Sequence, residues 1–340
     1  MNNIFSKIKL SGAKERFSFG LDIGSQSIKC VKLKTSSNLI ELVDFDLQES
    51  QLDTAEVLKN IKHAQGADLV NISFCGASTV IRYVNFPRMN KDELKGALKF
   101  EAQKHIPFSV NEVNLDAEIL KNDLPENKML VLIAAIKKEL IWQRIKVLEG
   151  AGLKPNIIDI DSLALVNAFN FNYPKTELPE DKTICILNIG STTTNVNILD
   201  SGMVRLSRDI HAGGANFTKK LMDIFELDFK AAEELKINPP PEKADRIKSA
   251  VESVLTNLAS EIRTSFDYYE SQNTSNVVRI FLCGGASKTA GLKEMLGTCL
   301  GIPVESWDPF KMIKIPDTVD TGELNKFYGQ LNVALGLALR

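Results

Sequence analysis

Two distant stretches of this chain share one pattern: residues 19–33 read FGLDIGSQSIKCVKL and residues 185–199 read CILNIGSTTTNVNIL. Each is an apolar run, a Gly-Ser turn and an alternating run, the signature of two antiparallel strands joined by a tight turn. Leu21-Asp22-Ile23-Gly24-Ser25 has its counterpart in Leu187-Asn188-Ile189-Gly190-Ser191. A repeat at that separation predicts two α/β lobes of one topology, each presenting its turn to a shared cleft. With 340 residues the chain is long enough for two such units.

Between the repeats, Leu94, Ala97, Leu98 and Ala102 stand at helical spacing in a segment that stops at Ile106-Pro107. Residues 112–120 alternate as a strand, 129–136 form an unbroken apolar strand, and 138–150 form a helix closed by Gly150 and Gly152. In the second half, helices are predicted over 216–225 and 229–236, then Pro239-Pro240-Pro241 breaks the chain before a long helix over 243–269. A buried strand over 277–283 meets Gly284-Gly285, and a further helix follows over 291–300.

The chemistry lies in glycine turns and hydroxyls. A hairpin turn holds phosphate by pointing successive N–H groups at it, provided no side chain blocks the approach. Gly24 and Gly190 give that clearance; Ser25, Ser27, Ser191, Thr192 and Thr193 add hydroxyls, Lys29 a cation, and Asp22 a carboxylate for the water shell of Mg²⁺. At Gly213-Gly214 a strand runs into glycine and then a helix start, which is expected to offer free N–H groups to an anion. At Gly284-Gly285, with Ser287, a second such turn suits a base or ribose approaching the backbone closely.

Other chemistries lack their residues. There is no G-x-x-x-x-G-K-[ST] and no G-x-S-x-G. His63, His105 and His211 have no ligand spacing. The five cysteines show no CxxC; Cys30, Cys75, Cys185 and Cys283 lie in apolar runs and are expected to be buried and reduced, leaving Cys299 apart. A formal net charge of -2, with no interleaving of basic and aromatic residues, gives no positive argument for nucleic acid. No run reaches the roughly 18 apolar residues of a membrane span, and the N-terminus lacks the apolar core of a secretory signal. Residues 1–16 are expected to be a flexible basic tail; Ile4, Phe5 and Ile8 among Lys7, Lys9, Lys14 and Arg16 would also suit an anionic membrane surface.

The order of these turns resembles the superfamily of actin, sugar kinases and heat-shock chaperones. The first phosphate motif spans 22–29, the second 188–194 and the adenosine motif 282–287, with connecting helices at 161–168 and 328–340. Within it the chain resembles the PilM family of type IV pilus assembly, through FEAQKHIPF at 100–108, LEGAGL at 148–153, AAEELK at 231–236, EIRTSFDYY at 261–269 and the ending VALGLALR at 333–340. The resemblance implies an actin-like, ribonuclease H-like two-lobe ATPase fold in the α/β class, with an FtsA-type inserted subdomain. It divides the chain into a first lobe at 17–85, an insert at 86–156, the first connecting helix within 157–183, a second lobe at 184–210 and 276–325 carrying a helical subdomain at 211–275, and a closing helix at 326–340. It also adds Gln26, Glu233 and Lys236 to the nucleotide site, with ATP and Mg²⁺ as cofactors.

By the same resemblance the partner is the N-terminal cytoplasmic peptide of PilN, held by the insert through Phe100, His105, Ile106, Pro107 and Phe108, although spacing alone would put Phe100 in a core. Other pilus-platform proteins and self-association are further implied contacts, and the expected location is the cytoplasmic face of the inner membrane, in twitching motility. One departure matters. The superfamily's second phosphate motif opens with Asp, whereas Asn188 is a neutral amide that cannot hold magnesium-bound water as a carboxylate does, so weak or absent hydrolysis is expected. Two alternatives stay open: an FtsA-like filament former, which would need a membrane-anchoring tail beyond Arg340, and a small-molecule kinase, which would need an acidic base that does not stand out here.

Overall fold

The repeat in the sequence becomes a repeat in topology. The structure is a computed structural model that describes residues 15–37, 39–50, 54–61, 69–174 and 183–340, so His63 and nearly all of the basic tail lie outside the described residues. The first half runs β1 (Arg16–Ile23), β2 (Ser27–Ser36), β3 (Leu39–Glu49), α1 (Thr54–Asn60), β4 (Leu69–Phe74), β5 (Thr79–Pro87), α2 (Lys91–Ala102), β6 (Val113–Leu124), β7 (Lys128–Lys137), α3 (Lys138–Gly150), β8 (Lys154–Ile160) and α4 (Asp161–Asn172). The second half runs β9 (Thr183–Ile189), β10 (Thr194–Asp200), β11 (Met203–Ile210), α5 (Gly214–Phe225), α6 (Phe229–Ile237), α7 (Ala244–Gln272), β12 (Val277–Cys283), α8 (Leu292–Leu300), β13 (Val304–Ser306), α9 (Thr321–Phe327) and α10 (Asn332–Ala338).

One sheet has the order β3-β2-β1-β4-β8 and the other β11-β10-β9-β12-β13. In both, three antiparallel strands come first and two more then add parallel to the first strand. The two Gly-Ser turns therefore occupy equivalent corners, β1–β2 and β9–β10.

A third sheet, β5-β7-β6, carries α2 on one face. Asn90 and Glu93 start α2 with a capping box, and Leu94, Leu98 and Ala102 form its buried stripe. β7 is apolar throughout because it is covered on both sides: Met129, Val131, Ile133 and Ala135 pack with α2, while Leu132, Ala134 and Ile136 join the core of the first lobe. This sheet differs from the insert expected at 86–156. It recruits β5 from Thr79 onward, and α3 instead buries Ile141 and Leu148 in the first-lobe core. Periodicity identifies a strand or helix without saying which neighbour it pairs with.

Two further expectations change. Cys75 is exposed, because it follows β4 at the open end of the sheet, whereas Cys30, Cys185 and Cys283 are buried. The closing helix is broken by a 3-10 turn over Tyr328–Gln330, where the Gly329 carbonyl accepts the Gly284 N–H at 2.6 Å instead of a helical partner.

The lobes join through α4 and α10, which are buried on nearly every side between the two sheets. Their backbones touch: a Cβ on Gly336 would stand 1.8 Å from the Ala164 carbonyl oxygen, and one on Gly20 of β1 would stand 2.0 Å from that of Ala334. The last carbonyls of α10 accept from side chains, Gly336 from Asn167 at 3.0 Å, Leu337 from Asn71 at 2.8 Å and Ala338 from Ser18 at 2.5 Å, and that of Leu337 also accepts the Arg340 N–H at 3.2 Å. Arg340 then pairs with the buried Asp159, its Nε 2.6 Å from Oδ2.

A methyl group at Gly336 has no room to enter, so Gly336→Ala is expected to destabilise the chain by about 3 kcal/mol in urea unfolding. Gly96, on the exposed face of α2 with open space around it, gives the opposite sign: Gly96→Ala is expected to stabilise by about 0.5–1 kcal/mol.

Candidate nucleotide-binding site

The two hairpin turns meet tip to tip across the lobes. Each is closed by one backbone bond, Gly24 N–H to Ser27 O at 3.1 Å and Gly190 N–H to Thr193 O at 2.9 Å. Ser25 Oγ lies 3.2 Å from Thr192 Oγ1, and Ser191 Oγ donates to Gln26 Oε1 at 3.4 Å. The N–H groups of Ser25, Gln26, Ser191 and Thr192 donate to no protein acceptor among the described residues. Such N–H groups, with adjacent hydroxyls, suit a phosphate chain laid between the tips.

Below the tips the two corners differ. In the first, Asp22 and Lys29 are directly paired across β1 and β2 and form a half-buried ion pair at 2.9 Å. In the second, Asn188 and Asn195 occupy the matching pair across β9 and β10, and Asn188 Nδ2 donates to Asn195 Oδ1 at 2.7 Å. Lys29 is thus already engaged by Asp22.

The Gly-Gly turns work otherwise than expected. The N–H groups at the start of α5 are already engaged: Gly214 donates to Gly190 O at 2.8 Å, Ala215 to Ser191 O at 2.9 Å, and Gly213 to Asn216 Oδ1 at 2.9 Å. This helix start therefore braces the second turn instead of offering free donors. Gly284 has φ +93°, and a Cβ there would stand 2.3 Å from the Ile189 carbonyl oxygen, so it too seats the strand of the second turn. Ser287 Oγ turns back onto Gly284 O at 2.7 Å, and Gly285 lies against Gln330.

Glu233 and Lys236 do converge beside the Gly213-Gly214 turn. Lys236 Nζ donates to Glu233 Oε1 at 2.5 Å and to Thr218 Oγ1 at 2.9 Å, while Thr218 also bonds Glu233 and Gly214 O. Burial pulls the Lys236 ammonium below the ordinary lysine range, with Glu233 opposing the shift.

Three carboxylates gather at the base of the cleft, and only Asp22 was singled out in the sequence. Asp161 begins α4, and burial, followed by the Asp22 charge, pushes its carboxyl up to about 6. The Asp161 charge in turn leads the causes that hold the Cys75 thiol above its ordinary range. Asp209, on β11, accepts from Asn195 Nδ2 at 2.7 Å and from the Gly76 N–H at 2.6 Å. Asp161 and Asp209 carry no local motif; only the fold brings them near Asp22. A cavity of about 190 Å³ lies at this lobe seam, lined among others by Gly76, Thr79, Arg82, Asp209 and His211, and the glycine turns do not line it.

The five residues expected to hold a partner differ in exposure. Phe100 is 79% exposed, since it sits across α2 from the Leu94–Leu98–Ala102 stripe, so the core reading from spacing fails. Ile106 is core, Phe108 is half-buried under Lys137 at 4.8 Å, and His105 tilts against Phe86, leaving Pro107 exposed.

Residues 20–340 match the family described as type IV pilus assembly protein PilM. The chain belongs to the PilM family. Its fold agrees with a solved PilM–PilN type IV pilus biogenesis complex at a TM-score of 0.83 and 26% identity, covering 95% of this chain and 98% of that one. The ethanolamine utilization protein EutJ from Carboxydothermus hydrogenoformans shares the fold at a TM-score of 0.54 and 16% identity, over 95% of this chain and 89% of EutJ. Cell division protein FtsA of Neisseria meningitidis is 27% identical over 216 residues, 56% of this chain, and the match spans about half of FtsA, 51%. The fold is thus the expected actin-like α/β ATPase fold, in a PilM-family chain whose described residues include no helix long and apolar enough to cross a membrane.

The raised carboxyl of Asp161 fixes a pH signature. An acid with a folded-state value near 6, against about 3.9 unfolded, binds its proton more tightly when folded, so its contribution to stability falls as pH rises from about 4 to about 6. Asp161→Asn is expected to unfold less readily than the native chain at about pH 7.5, by about 1–3 kcal/mol, with the difference vanishing near pH 4 in urea titrations.

Proposed function

We propose that this PilM-family chain is a nucleotide-binding scaffold of the pilus assembly platform, which binds Mg-ATP between its lobes and docks the N-terminal peptide of PilN. The observation that carries the first part is the tip-to-tip meeting of the two turns, with Ser25 and Thr192 3.2 Å apart and four N–H groups at the tips without protein acceptors. The phosphates lie between residues 24–27 and 190–193, Asp22 faces the water shell of Mg²⁺, and Glu233 and Lys236 border the nucleoside. Magnesium supplies charge neutralisation of the phosphates; the chain supplies donors and shape.

Hydrolysis is slow in this reading. The side chain at 188 is an amide already committed to Asn195, and it offers no carboxylate to orient magnesium-bound water. ATP then acts as a structural or switching ligand, at turnover well below about 1 s⁻¹.

Support for the partner comes from the family and from the solved PilM–PilN complex that this fold resembles. The chain reaches the membrane through that partner, from the cytoplasmic side. We assign docking to the β5-β7-β6 unit, where Phe100 stands exposed on α2. Deleting this unit would also strip Leu132, Ala134 and Ile136 from the first-lobe core, so point variants are the cleaner test.

Thr192→Asp places a like charge at an exposed turn tip and is expected to weaken Mg-ATP binding at least about tenfold in titrations with a fluorescent analogue. Phe100→Ser is expected to lower affinity for a synthetic PilN N-terminal peptide while leaving nucleotide affinity and melting temperature unchanged. Native Mg-ATP affinity in Thr192→Asp would remove the cleft assignment, and native peptide affinity in Phe100→Ser would remove the docking assignment.

A further inference from the structure

Asn188, Asn195 and Asp209 stand in one row across β9, β10 and β11, each directly paired with the next in strand register. Their side chains form a single chain of hydrogen bonds: Asn188 Nδ2 to Asn195 Oδ1 at 2.7 Å, then Asn195 Nδ2 to Asp209 Oδ1 at 2.7 Å. The row does not stop at the edge of its sheet. Asp209 Oδ2 accepts the N–H of Gly76 at 2.6 Å, and Gly76 belongs to the other lobe. The equivalent row of the first lobe is Asp22, Lys29 and Leu47, which ends in an ion pair followed by an aliphatic side chain.

Gly76 also leads into the third sheet. Its carbonyl accepts both the N–H of Thr79 at 3.0 Å and the Thr79 hydroxyl at 2.9 Å, and Thr79 is the first residue of β5. Beside it the 190 Å³ cavity lies between β5 and β11. The apolar joint of the lobes is centred on α4 and α10 and takes in Tyr83 of β5 and Val204 of β11.

We propose that Asn188, Asn195 and Asp209 form a polar latch that ties the second turn to Gly76 across the lobes and so to the start of β5. The direction of the chain is fixed from its far end. A carboxylate at 209 only accepts, so Asn195 must direct its N–H groups toward 209 and its oxygen toward 188, and the residue at 188 must then be a donor. The amide at 188 is therefore selected by the latch. A carboxylate at 188 would face the Asn195 oxygen, or would turn Asn195 round and set that oxygen against Asp209.

Exchanging the two end residues is expected to rescue the latch. In Asn188→Asp alone, two carboxylates compete for one amide donor, whereas in Asp209→Asn alone the amides at 188 and 195 turn round and all three bonds re-form without a charged acceptor. With both substitutions together the chain runs in reverse: Asn195 Nδ2 donates to the carboxylate now at position 188, the amide now at position 209 donates to Asn195 Oδ1, and the oxygen of that amide accepts from Gly76. All three bonds return, although the net charge is unchanged and the carboxylate has moved to the other end of the row.

The test is hydrogen–deuterium exchange of the full chain without nucleotide or partner, read in the peptide containing Gly76, so that its outcome is separate from the binding readings above. Asn188→Asp is expected to speed exchange there by about tenfold or more, the loss of one charge-assisted bond, and Asp209→Asn by less, since its three bonds survive without the charge. The double variant is expected to return to within about twofold of the native chain, and melting temperatures to follow the same order. An Asn188→Asp variant that exchanges like the native chain overturns the latch, as does a double variant no better protected than Asn188→Asp. Should Asn188→Asp fail to fold, recovery of folding and protection in the double variant decides alone.

Discussion

Everything in this molecule hangs on the contact between two helices that have no side chain between them. Gly336 of α10 lies against the Ala164 carbonyl of α4, and Gly20 of β1 against α10 on its other side. The closeness lets one apolar cluster run from Val31, Leu33 and Leu42 of the first sheet through both helices to Ile186 and Phe281 of the second. Two lobes with separate outer cores are thereby fused at the base, and their hairpin turns are held opposite each other at the top. The last carbonyls of α10 lie in this apolar place, and Asn71, Asn167 and Ser18 donate to them.

The top of the cleft is held by a different kind of force. Hydroxyls touch across the turn tips, and the Asn188–Asn195–Asp209 row reaches Gly76 on the opposite lobe. Apolar joints are insensitive to small displacements, whereas hydrogen bonds fail within a fraction of an ångström. The base of the cleft is thus apolar and its rim polar. Asp161, partly buried, sits where the two regimes meet, at the first residue of α4 and under the charge of Asp22.

The third sheet is integrated as closely as the lobes. β7 contributes alternate residues to two cores, so a ligand acting on that sheet acts on the first lobe as well. Phe100 lies outside both cores and is the large apolar side chain most exposed among the described residues. Membership in the PilM family and the likeness to a PilM–PilN complex give that exposure a direction for experiment.

The sequence by itself determined the local chemistry and the repeat. Gly-Ser turns between alternating strands, the helical spacing of Leu94, Ala97, Leu98 and Ala102, the proline break before α7 and the strand at 277–283 all rest on short-range rules, and the recurrence of one hairpin implied one topology used twice. Tertiary structure decided what each element touches. It moved β5 into the third sheet and α3 onto the first lobe, committed the N–H groups of α5 to the second turn, exposed Cys75, and brought Asp161 and Asp209 to Asp22 from far along the chain. The reason is that spacing encodes which face of an element is apolar, while the partner of that face is chosen by the packing of the whole chain. Asn188 shows the difference most plainly: its amide reads as a missing carboxylate in the sequence, and as the donor that Asn195 and Asp209 require in the fold.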